Sequence, residues 1–426
     1  MKAALPLVSS LLLSATLALA QPAPQAPRMP AQRPQGPPSP IVQPDGKVTF
    51  NLLAPHATAV TLSGDYPIGN NVSMTKDEKG VWSVTVGPLR EDFFAYRYTV
   101  DGIDLLDPRN IHVTRDGARY LNWAVVPGAN SDNYEINDVP HGQVREVWYP
   151  SPTLKMTRRM TVYTPPGYES SDTRYPVLYL LHGGGGDELA WTEMGRAPEI
   201  FDNLIAQGKM VPMIVVMGNG NIWQSSAPNS VTTMPNAMQP KVRPAPGENP
   251  FGDVLTIYPE SLVNDMIPFV DKTFRTKADR EDRAIAGLSM GGAQATQAAF
   301  THLDDFAWAG FFSAATPLLP GVLKRIPLPA DAASRRGPGL GQTIDPDAFV
   351  KHYPVVGPEL NARLHLLYVA DGQSDGLIEF ENDFEKMLRD HGVKYVAQDL
   401  PDYGHTWNFW RVTLEDFAPR LFRPAQ

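Results

Sequence analysis

No cysteine occurs among the 426 residues, which excludes disulfide staples, thiolate metal sites and cysteine-dependent catalysis together. Stability must therefore come from apolar burial, and a chain this long has room for two or three domains. Basic runs are missing too. The formal charge is −9, and an acidic chain without Lys/Arg clusters argues against nucleic acid or an anionic membrane as a partner. The stretch that comes nearest to membrane character opens the chain, MKAALPLVSSLLLSATLALA. It is short for a bilayer span and is broken by Pro6 and several serines. Lys2 near the start and Ala18-Leu19-Ala20 before Gln21 give it the layout of a secretory signal peptide, residues 1–20. The expectation is an exported chain, periplasmic or extracellular, with no membrane span.

Proline is what the next segment has in abundance. Residues 21–44 hold nine prolines and almost no large apolar side chains, so they read as an extended, polyproline-like tether. From 45 to 128 the period changes to two. Val48, Phe50 and Leu52 alternate with polar neighbours, as do Trp82, Val84 and Val86, and then Phe94, Tyr96, Tyr98 and Val100. Turn signals such as Lys79-Gly80 and Asp101-Gly102 separate these runs, and the pattern predicts a small β-sandwich. Its aromatics Trp82, Phe93, Tyr96, Tyr98 and Trp123 alternate as core residues do, and nothing in it reads as a reaction centre.

Residues 140–424 have another character. Runs apolar on both faces, YPVLYLL, MIVVM, AIAG and LHLLYVA, belong to strands buried between layers. Helical periodicity lies between them: Leu377, Phe380, Phe384 and Leu388 share a face in a segment that stops at Gly392. Strand alternating with helix predicts an α/β domain with a mostly parallel central sheet flanked by helices. Two stretches fit neither period, 224–252 and 316–347. Rich in Pro, Gly, Ser and Asn, they read as substrate-side insertions.

The chemistry centres on AIAGLSMGGAQ. Gly-x-Ser-x-Gly is a short motif, but here it follows a buried strand and precedes the helical AQATQAAF, the strand–turn–helix context of a nucleophile elbow at Ser289. A serine hydroxyl needs a base, usually a histidine oriented by a carboxylate, in the order Ser, acid, His. Among the histidines after Ser289, His365 falls in a buried strand, His391 closes a helix, and His302 and His352 precede the acid. His405, in DYGHTW beyond the last strand, is the base. Asp371 and Asp375, at the end of LHLLYVADGQSDG, are both candidates for the acid, and Asp375 also reads as a helix N-cap. The four glycines of LLHGGGGDELAW present backbone amides to a developing oxyanion, as does the amide of Met290. The run lacks the Gly-Lys-Ser/Thr ending of a phosphate loop.

These segments, with MIVVMGNG and YGHTWNFWRVTLEDFAPRLF, resemble the esterase-D-like α/β hydrolases, above all carbohydrate esterases of the feruloyl-esterase type and enterochelin-esterase-like proteins. VTFNLLAPHATAVTLSGDY and YRYTVDGIDLLDP resemble the immunoglobulin-like, glycogen-binding-type module often fused to them. The resemblance implies Asp375 as the acid and Gly184 with Met290 as oxyanion donors, Gly185 lying close enough to Gly184 to be confused with it. It places Trp191 and Asn219 along the acyl side of the cleft. It implies a secreted serine esterase that cleaves feruloyl or acetyl groups from plant-type polysaccharide, without metal or organic cofactor. The alternatives are a siderophore-ester hydrolase, for which Arg196, Lys241 and Arg243 would supply cations at the pocket mouth, an acyltransferase of the mycolyl-transferase type, and a non-catalytic glycan-binding protein. Oligomeric state is not legible.

Overall fold

The computed structural model describes residues 36–228, 252–319, 321–325 and 342–423. The expected signal peptide, most of the tether, and the middles of both insertions, with Lys241 and Arg243, lie outside these residues.

The N-terminal part is a sandwich of two antiparallel sheets. One pairs Val48–Leu53 with Val81–Val86, and the other is centred on Asp92–Val100, between Val60–Gly64 and Arg119–Val126. Alternation explains the packing: Val48, Phe50 and Leu52 point inward against Phe94, Tyr96 and Tyr98, with the Phe50 and Tyr96 rings edge to face at 4.6 Å. The central strand, however, is buried on both faces. Its other set, Phe93 and Ala95, joins Leu121 and Trp123 in packing against Trp191, Met194, Trp407 and Trp410 of the α/β domain. Phe93 and Trp123 are thus inter-domain residues, not part of the sandwich core with Tyr96 and Tyr98. The sequence shows a strand of period two with large residues in both registers, and only a second layer explains that.

The same interface buries an ion pair. Arg411, on the helix Trp407–Phe417, donates through Nη2 to Asp92 Oδ1 at 2.9 Å and through Nη1 to the Met194 carbonyl at 2.8 Å. Neither side chain of the pair reaches solvent. The two domains share one apolar cluster at their interface, beside the sandwich's own core.

The α/β domain is built on eight strands in the spatial order Gln143–Ser151, Met156–Thr164, Ile214–Gly218, Val177–Leu181, Arg283–Leu288, Trp308–Phe312, Leu366–Gly372, Val396–Leu400. The first two run antiparallel to their neighbours and the other six are mutually parallel. Val177–Leu181, Ile214–Gly218, Arg283–Leu288 and Trp308–Phe312 are buried throughout, as the doubly apolar runs require. His365 departs from its expected place. It precedes the strand, is exposed, and pairs with Glu281 against the Trp308 ring. Parallel strands bring their carboxyl ends to one edge, where the loops that carry chemistry collect.

Candidate active site

Ser289 stands between the strand Arg283–Leu288 and the helix Met290–Thr301, with φ 52° and ψ −119°. That backbone is unfavourable for an L-residue and persists only where the surroundings impose it. Here a Cβ on Gly287 would sit 2.4 Å from the Gly291 carbonyl oxygen, and one on Gly291 2.4 Å from the carbonyl oxygen of His182. The turn can therefore close only with glycine on both sides of the serine. The Ser289 amide donates to the Phe312 carbonyl at 2.9 Å, tying the elbow to the next strand. Met290 opens the helix, so its amide is free of intrahelical bonding, at the positive end of the helix dipole.

His405 Nε2 lies 2.9 Å from Ser289 Oγ, and His405 Nδ1 lies 2.8 Å from Asp375 Oδ2. The imidazole is braced edge-on by Trp410, ring centres 5.0 Å apart. Asp375 is buried, and its other oxygen accepts the Leu377 amide at 2.8 Å. Burial alone pushes the Asp375 carboxyl upward, but the hydrogen bond and charge of His405, with the Leu377 amide, hold it below the usual carboxylate range. It is an anion poised against an imidazole.

Asp371, the other candidate acid, makes no contact of this kind. It is 1% exposed, and neither carboxylate oxygen has a hydrogen-bond partner among the described residues. Burial first, then the charges of Glu385, Asp375 and Asp399, drive it well above the ordinary range. Asp371, Glu385 and Asp399 bring carboxylate oxygens within 4.8 Å of one another. Glu385 is already engaged by Arg389 at 2.8 Å and Tyr395 at 2.9 Å.

Across the cleft from His405 runs the glycine loop. His182 at its start is buried and kept neutral by that burial. Its Nδ1–H donates to the Gly183 carbonyl at 2.7 Å, and its Nε2 accepts the Gly220 amide at 2.8 Å. Gly183, Gly184 and Gly186 line a cleft of about 250 Å³ together with Ser289, His405, Trp407 and Trp410. Gly184 faces it with open space where a side chain would stand.

The rest of the lining was not anticipated. Asp65, Asp116 and Arg119 of the sandwich help line this cleft, so the module that reads as free of any reaction centre borders the space onto which the serine opens. Burial pushes the Asp65 carboxyl up to about 6, while the Ala95 amide it accepts at 2.8 Å pulls the other way. The one sequence signal was the Asp116-Gly117 turn between two strands, indistinguishable from any other hairpin.

Trp191 and Asn219 are corrections. Trp191 is 1% exposed, donates its indole N–H to the Leu181 carbonyl at 3.0 Å, and packs edge-on against Trp407. Asn219 is wholly buried and donates to Glu188 at 3.0 Å and Gln224 at 3.2 Å. Both support the loops behind the cleft and neither lines it. Arg196 also lies away from the serine: it borders a separate cavity of about 610 Å³ with Phe93, Trp123 and Ile136.

Residues 151–333 match the family model for putative esterases, and residues 39–115 match carbohydrate-binding module 48, the isoamylase N-terminal domain. Over the matched residues the α/β domain is similar to that esterase family. The chain is similar to an endo-1,4-beta-xylanase/feruloyl esterase of Xylanibacter ruminicola, 33% identical over 287 residues that make up 65% of this chain and 36% of the other. It spans about a third of that relative's length. Among solved structures, a ferulic acid esterase of Anaeromyces mucronatus matches 70% of this chain with TM-score 0.52 at 20% identity, over 98% of its own length. The enterobactin esterase of Shigella flexneri matches 88%, with TM-score 0.59 at 14% identity, over 92% of its own length. At these identities the two structures speak for the fold, the second for the sandwich and the α/β domain together.

Proposed function

We propose that this chain is an exported serine esterase that hydrolyses carboxylic esters, feruloyl or acetyl, of plant-type polysaccharide or its oligosaccharides. The observation that carries the reading is the unbroken hydrogen-bonded series Ser289–His405–Asp375 opening onto a cleft beside a glycine loop. Ser289 Oγ attacks the ester carbonyl while His405 Nε2 takes its proton; Asp375 holds the imidazolium that results. The amides of Met290 and Gly184 receive the oxyanion, where fixed dipoles need no reorganisation. His405 returns the proton to the departing alcohol, and water, deprotonated by the same histidine, releases the acid from Ser289. No step calls on a metal or organic cofactor.

The substrate class draws support from the feruloyl esterase activity of the Xylanibacter relative and from the cleft wall. Two carboxyls and one guanidinium, Asp65, Asp116 and Arg119, suit a neutral, hydroxyl-rich alcohol better than a multiply anionic catecholate. Arg196, which a siderophore ester would need at the mouth, faces another cavity. The test is release of ferulate from methyl ferulate by the purified protein, beside Ser289→Ala. Release by the wild type and none by the variant is the expected result. Equal release by both would remove Ser289 from the chemistry, and silence from both would shift the acyl group away from ferulate.

A further inference from the structure

We infer that Arg115 of the sandwich is a positioning residue for ester cleavage, holding the glycine loop in the shape that turns its amides toward Ser289. The inference rests on the serine-esterase reading above and adds to it a part that the sandwich plays in the chemistry itself.

Four consecutive glycines have no side chains with which to fix their own conformation, and glycine gives up more backbone freedom on ordering than any other residue. The loop must be held from outside. At its near end, His182 is fastened to Gly220. At its far end stands Asp187, which is 1% exposed and is met by a residue from the other domain. Arg115, on the strand Val113–Asp116, donates through Nη1 to Asp187 Oδ2 at 2.6 Å and through Nη2 to Oδ1 at 2.7 Å. A two-pronged, buried pair of this kind fixes direction as well as distance. Asp187 Oδ1 also accepts the Leu189 amide at 3.0 Å, so the carboxylate passes the constraint back into the loop's own backbone.

A second contact comes from the same hairpin. Arg115 Nη1 also binds the Gly117 carbonyl, and Gly117, at φ 58°, approaches the loop so closely that a Cβ there would stand 2.0 Å from the Gly185 carbonyl oxygen. Gly185 is thus pinned from the sandwich side, between Gly184 and Gly186, which line the cleft. Asp116 and Arg119 enter the cleft from this turn as well. On this inference the sandwich influences cleavage even of a substrate that does not extend beyond the cleft.

The test uses the full chain and nitrophenyl acetate, with a boronic acid that forms a tetrahedral adduct on Ser289. Arg115→Lys keeps the charge but loses the fork, and Gly117→Ala pushes the turn off Gly185. Each should lower kcat about 10- to 100-fold, within the range for a displaced oxyanion donor. KM should stay within about threefold, and boronate affinity should fall in step with kcat. Gly102→Ala is the control: it too sits at positive φ in a sandwich turn, with nothing within 4 Å of the added carbon, and should leave kcat unchanged. Melting curves establish that each variant is folded. Folded Arg115→Lys and Gly117→Ala proteins with kcat within about twofold of wild type overturn the inference, as does a loss of kcat with boronate affinity intact. An inactive wild type overturns the esterase reading and this inference with it; an active wild type with unaffected variants overturns this inference alone.

Discussion

The two sides of the cleft are built on different principles. On the serine side, most of what shapes the elbow lies in one stretch, the strand Arg283–Leu288, the strained Ser289, the glycines at 287 and 291, and the helix that follows, with only the Phe312 and His182 carbonyls coming from neighbouring elements. On the oxyanion side, the glycine loop is shaped by residues far away in sequence, with His182 bound to Gly220, Glu188 to Arg159 and Asp187 to Arg115. The first arrangement is written as a motif. The second exists only once distant segments and, at Asp187, a second domain have packed, so a local change on one side and a remote change on the other should have comparable reach into the chemistry.

The strongest break of the comparison is on the local side. His405→Ala leaves Ser289 without a base within reach and should cost turnover on the order of 10⁴-fold or more, measured as single-turnover acyl release. Because His405 is braced by Trp410 but is not part of the core, the melting temperature should stay near that of wild type. A variant that kept a tenth of the activity would mean that another group takes the proton.

On the remote side, Arg411→Met removes one member of a pair whose partner, Asp92, stays buried. Deleting half of such a pair typically destabilises by about 3–5 kcal/mol. Denaturation by urea, followed at once through far-ultraviolet circular dichroism and tryptophan fluorescence, should show the single transition of a shared core giving way to two. One transition of unchanged midpoint would show that the remaining contacts, Phe93, Trp123 and the Arg115–Asp187 pair among them, hold the domains together without Arg411.

That difference also decides what could be read from the chain alone. Four strands of the α/β domain's parallel part followed from doubly apolar runs, and the serine, the histidine and the place of the glycine loop followed from motifs at strand ends. The wall formed by Asp65, Asp116 and Arg119 was not legible, because a turn on a hairpin looks the same whether it meets solvent or a neighbouring domain. Trp191 and Asn219 failed for a related reason. Their positions next to functional loops were right, but a tryptophan whose indole N–H finds a carbonyl is as much at home behind a cleft as along it. Period-two patterning gave the faces of the strand Asp92–Val100, and the identity of what covers its second face had to come from the fold.

Trp191→Phe sharpens the point on a smaller scale. As a core residue, Trp191 contributes its hydrogen bond to Leu181 and its contact with Trp407. Removing the indole should cost about 1–2 kcal/mol of stability with KM for methyl ferulate unchanged. A rise in KM without loss of stability would return Trp191 to the cleft.

The smallest effect expected belongs to Asp371, which stands between the two principles: it sits at the end of the strand that delivers Asp375, yet its energy is set by neighbours on other elements. Its carboxyl is raised in the folded protein, so the native state keeps a proton that the unfolded chain releases above about pH 4. Stability from this group is therefore full below that value and is lost as pH rises through the raised native value. Asp371→Asn keeps the shape and has no proton to lose. The variant should match the wild type or fall slightly below it near pH 4 and overtake it as pH climbs toward 8, by a few degrees in melting temperature. If instead the asparagine loses ground steadily with rising pH, the carboxyl is charged in the folded state and is stabilised by a cation, and the group of Asp371, Glu385 and Asp399 would have to be read as a binding site after all.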